Sequence, residues 1–149
     1  MTRIPAPALL LGIAGLLPFV FAALAKLGLV SATLADPLIT AQDGRLVMAR
    51  YGVIILCFMS GVLWGYATRA TGAQAAAAYA LSTVPALWVF LNPGGRADEV
   101  LINLGIGFAG VLALDYAFHK WGLTPPWWMA LRVPLTAVVL ICLAIGVWA

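Results

Sequence analysis

Asp115, Arg132, Arg50 and His119 are the side chains of this 149-residue chain whose type and setting could do chemistry. Each lies inside or at the end of a long apolar run. At the centre of a membrane helix a charge costs roughly 2.5–3.5 kcal/mol on insertion scales, so a chain that keeps one there marks a functional candidate. Arg50 falls about a turn and a half into its run, Asp115 about one turn before the end of another, and Arg132 about a turn and a half into the last. If the runs alternate in direction, Asp115 and Arg132 reach one membrane face at similar depth. An ion pair tying the two runs together is then expected. The alternatives are snorkelling arginines with an aspartate in headgroup water, or a transport or proton-relay role. His119 follows Asp115 by four residues, on one helical face, a spacing that suits proton shuttling. Against that stands a plain interfacial histidine beside Lys120.

The residues that are missing exclude more than those present. One histidine cannot supply the paired axial imidazoles of a membrane b-type haem, although a His/Met pair stays formally open. No Cys, His and carboxylate set has metal-ligand spacing, and no nucleophile motif surrounds Ser60 or Ser82. Cys57 and Cys142 lie in apolar runs without a CxxC and read as small buried apolar side chains. The expectation is a protein without cofactor or metal that is not an enzyme.

The elements that must position these residues are membrane helices. The chain is 64% hydrophobic and 9% charged, with mean hydropathy +1.07. Soluble domains carry about 25% charged residues, so this surface cannot be covered for water. An all-α polytopic bundle of five transmembrane helices is predicted, at about 6–30, 45–68, 73–91, 98–118 and 127–148, as one domain over 1–149. Those spans leave no room for a soluble domain. Pro18, Pro85 and Pro134 fall within spans one, three and five and are expected to kink them. Gly52, Ser60, Gly61 and Gly65 give span two a small-residue face, Gly61 and Gly65 forming a GxxxG pair. Gly105, Gly107 and Gly110 do the same for span four. Trp64, Trp127, Trp128 and Trp148 read as interface aromatics. The net charge of +3 is spread over the gaps between spans, which suits anionic lipid headgroups and not nucleic acid. The basic residues divide four and four between the two sides, and Asp36, Asp43, Asp98 and Glu99 all fall on the second. Acids count little under the positive-inside rule, and a cytoplasmic N-terminus is the orientation expected.

Several segments together resemble the DUF3429 (transmembrane protein 69-like) family of small membrane proteins. They are 11–19 in span one, 51–56 and 58–61 with Trp64-Gly65 in span two, Ser82 to Pro85 in span three, Asp115, and 126–136 in span five. They run in order through all five spans. Leu63 departs from the pattern, standing where relatives often carry a polar or basic residue before the Trp-Gly. The resemblance implies a compact multi-span protein of bacterial and mitochondrial inner membranes, here the bacterial one. It also singles out Gly61, Trp64, Gly65, Pro85, Asp115, Arg132 and Pro134.

With no catalytic set, little soluble mass and several glycine faces, the chain is expected to be an accessory or assembly subunit of a larger respiratory or photosynthetic membrane complex. Its partners would be lipids and other integral membrane proteins. The alternative is a small carrier or ligand-binding bundle for a lipid, quinone or small ion, using Asp115 and Arg132.

Overall fold

The computed structural model describes residues 3–30 and 44–149. The turn expected around Asp36 and Asp43 lies outside the described residues. Six helices follow in order: α1 (Ala6–Ala14), α2 (Leu17–Lys26), α3 (Gly44–Ala67), α4 (Gly72–Leu91), α5 (Ala97–Lys120) and α6 (Trp128–Trp148). Taken together, α1 and α2 form one 21-residue span, and α3 to α6 are spans of 24, 20, 24 and 21 residues. At 1.5 Å per residue, 20 residues reach about 30 Å, the thickness of a bilayer core. All five are long and apolar enough to cross it.

Side chains are distributed as lipid solvent demands. Asp115, Ser82, Arg132 and Thr136 are buried, whereas Leu10, Leu11, Phe58 and Phe90 are exposed. A water-soluble fold reverses that order. The core is built on α3, which packs against α2, α4 and α5, while α6 packs along α5 and covers α2. Phe19, Met48, Leu56, Leu104, Phe108 and Leu143 fill the centre.

The first span is interrupted and the others are not. α1 ends at Ala14, four residues before Pro18, whose ring has no N–H for the Ala14 carbonyl and crowds it. The Gly15 carbonyl in the gap accepts a bond from the Tyr51 hydroxyl of α3 at 2.9 Å. Pro85 and Pro134 sit inside α4 and α6, each of which runs through as a single helix. Beside Pro85, the Ala86 amide donates to Ser60 Oγ of α3 at 2.9 Å. That is how a neighbouring helix satisfies polar groups a proline disturbs in lipid.

The first span is shorter than the sequence suggests, stopping at Lys26 instead of running to Val30. Gly28 adopts φ +72°, the Leu29 amide donates to Leu24 and the Gly28 amide to Ala25. This is a Schellman stop, which a left-handed glycine permits. Gly122 (φ +72°) ends α5 in the same way, with Leu123 donating to Phe118 and both side chains in one cluster.

Candidate membrane-embedded polar site

Helices α5 and α6 are joined by a short loop, Trp121 to Trp127. The Gly122 stop starts it, and the Trp128 amide donating to Pro125 at 3.0 Å begins the next helix. The reversal sets the last turns of α5 against the first turns of α6. Asp115 and Arg132 therefore meet, with Arg132 Nε donating to Asp115 Oδ2 at 2.8 Å. Trp128 lies one turn before Arg132 on the same face and donates its indole N–H to Asp115 Oδ1 at 2.9 Å. Both carboxylate oxygens are thus engaged. Asp115 is 0% exposed and Arg132 7%. The Trp128 ring also lies 5.9 Å from the guanidinium carbon, within range of a cation–π contact.

The polar set is not closed. Arg132 Nη2 and Thr136 Oγ1 are buried without a hydrogen-bond partner among the described residues. Arg132 and Thr136 are one turn apart on α6, and both line a cavity of about 350 Å³ between α1, α2, α3 and α6. Its remaining walls are mainly apolar, including Leu16, Phe19, Met59, Phe108 and Val139. Leu11 and Phe58 on its lining are 74% and 64% exposed, so the cavity opens on the outer surface of the bundle.

The other expected site residues are placed apart from this pair. His119 Nδ1 lies 2.8 Å from Thr124 Oγ1 in the loop, and its expected partner Asp115 is held by Trp128 and Arg132 instead. The Schellman turn explains this, because it folds Thr124 back over the end of α5. Arg50 is exposed on α3, in keeping with snorkelling. Trp128, read as an interface aromatic, is a buried donor, while Trp148 is exposed and Trp64 packs on Tyr79. Cys57, expected to be buried, is exposed, because it lies on the outward face of α3; Cys142 is buried.

The glycine faces divide in two. A Cβ at Gly52 would come 2.8 Å from Leu104, and one at Gly107 would meet Leu56 and Trp88 at 3.0 and 3.1 Å. These glycines let α3, α4 and α5 approach. Gly105 is in ordinary contact with Leu140. At Gly61, Gly65 and Gly110 an added Cβ meets nothing within 4 Å among the described residues. Two residues that the sequence did not single out matter here. Thr136 gave no signal because threonine is common in membrane helices, and Gly146, with Leu101 and Met48 at 2.7 and 2.8 Å from an added Cβ, stands alone without a small-residue pattern.

Five apolar helices, with an ion pair buried between α5 and α6, define a polytopic helical membrane protein. The family model described as "Protein of unknown function (DUF3429)" matches residues 4–148, and the chain belongs to that family. It is similar to transmembrane protein 69 of Xenopus tropicalis, 37% identical over 145 residues. That match covers 93% of this chain and 53% of the relative, so the chain spans about half the length of that protein. No solved structure matches the chain. Leu63 is fully buried beside Ala67, Ala78 and Phe118, where an apolar side chain suits its surroundings.

Proposed function

We propose that this protein is a non-enzymatic component of the bacterial inner membrane that docks on a larger membrane complex as an accessory or assembly subunit. The observation that carries the reading is the outward stripe of α3. Arg50, Ile54, Cys57, Phe58, Gly61, Gly65 and Thr68 are all exposed along it, and the GxxxG pair in the middle is used by no helix among the described residues. In lipid, such pairs favour close backbone approach by a second helix. The partner fitted to this notch is a transmembrane helix of another polypeptide. A respiratory or photosynthetic complex is the one we infer, from the bacterial and mitochondrial membranes that the family resemblance implies. Mild-detergent extraction and native-size electrophoresis with mass spectrometry test this. Co-migration with such a complex is expected, and Gly61→Leu/Gly65→Leu should release the protein without unfolding it. Migration as a free protein before substitution, or co-migration unchanged after it, contradicts the reading.

Ligand binding inside the bundle is a second reading, supported by the cavity beside the unpartnered atoms of Arg132 and Thr136. A carrier that cycles protons or ions on Asp115 finds less support, since both carboxylate oxygens are already taken by Trp128 and Arg132.

A further inference from the structure

We infer that the cavity between α1, α2, α3 and α6 binds an amphiphile whose head is a neutral carbonyl, held by Arg132 and Thr136, with an apolar body running out towards the bilayer. The inference rests on the ligand-binding reading and names its ligand. A buried donor without a partner loses the full cost of its desolvation, so few are left in native proteins without a reason. Here two stand one helical turn apart on α6, and both of their residues line the same cavity. A guanidinium N–H can only donate, and a hydroxyl can donate as well as accept. The group that satisfies both is an acceptor with two lone pairs, which a carbonyl oxygen has.

Charge decides between a carbonyl and an acid. The guanidinium is already matched by the Asp115 carboxylate at 2.8 Å. The pair is neutral as a unit, and an added carboxylate or phosphate would leave a net negative charge among apolar walls, which is strongly disfavoured. The size fits the same class. About 350 Å³ is at the small end of ligand pockets and suits a ring or the first part of a chain, not a whole phospholipid. The opening past Leu11 and Phe58 lets the remainder lie in lipid. A quinone and a fatty-acyl ester both present this chemistry.

Trp127 and Trp128 line the cavity, so tryptophan fluorescence reports its occupancy. The purified protein in nanodiscs is titrated with four probes: a short-chain benzoquinone, a fatty-acid methyl ester, the corresponding free fatty acid at neutral pH, and an alkane of equal length. Saturable binding of the quinone or the ester is expected, and the tighter of the two identifies the source. Thr136→Val removes the hydroxyl with little change of shape and should weaken binding about five- to tenfold. Ala8→Phe, which fills the cavity from α1, should abolish it. Both variants should keep wild-type helical content and elution volume. If the fatty acid or the alkane binds as tightly as the carbonyl probes, or Thr136→Val leaves affinity unchanged, the ligand class is wrong while the ligand-binding reading survives. If no probe binds, both fail.

Discussion

Asp115 is the residue on which the interior depends. Its two oxygens take one charged and one neutral donor, and no water reaches it at 0% exposure. Removing one partner of such a pair strands the other charge, which costs about 3–5 kcal/mol in buried pairs, whereas replacing both by apolar groups is often neutral. Asp115→Asn and Arg132→Met should therefore each lower the thermal midpoint in detergent sharply, and Asp115→Leu/Arg132→Met should recover most of it. Single variants as stable as the wild type would point to an exposed, functionally mobile carboxylate. Trp128→Phe loses one bond to a charged acceptor and should cost about 2 kcal/mol. The ion pair was legible in the sequence because charges are rare in apolar runs. The tryptophan was not, since an aromatic at the start of a span reads as an interface anchor wherever its N–H points.

Among the helices, five spans were legible from hydropathy alone, because lipid requires long apolar segments whatever they pack against. Their ends were less so. Gly28 lies in a run that stays apolar to Val30, so hydropathy carries the span past the stop that Lys26 and the left-handed Gly28 set. Prolines act unequally, since the first span is interrupted before Pro18 while α4 and α6 carry Pro85 and Pro134 inside single helices. Glycine patterns marked which helices approach but not which glycines touch. The contrast between two of them is testable. Gly146→Val must push into Leu101 and Met48, at 2.7 and 2.8 Å from the first added carbon, and should cost about 1–3 kcal/mol by overpacking. Gly61→Val enters open space and should leave the melting of the isolated protein nearly unchanged. Equal effects in thermal melts would mean that the α3 notch is filled by the protein itself.

For the whole molecule, five crossings by the spans among the described residues would place Arg3 and Ala149 on opposite sides of the bilayer. With the N-terminus in the cytoplasm, the loop at Gly95 faces outward and the one at Thr71 inward. In a background lacking Cys57 and Cys142, Gly95→Cys should react with a membrane-impermeant thiol reagent in intact cells, and Thr71→Cys only after lysis; the reverse pattern inverts the orientation. Function was the least legible level, because the docking proposed for the α3 stripe turns on a neighbour that a single chain does not encode. Cys57 tests for such a neighbour, being exposed on the same stripe, one turn from Gly61. With Cys142 replaced by Ala, a small photoreactive group on Cys57 is irradiated in native membranes. A discrete adduct with one other membrane polypeptide, lost in Gly61→Leu/Gly65→Leu, is the predicted result. Adducts with lipid alone would contradict a docking role.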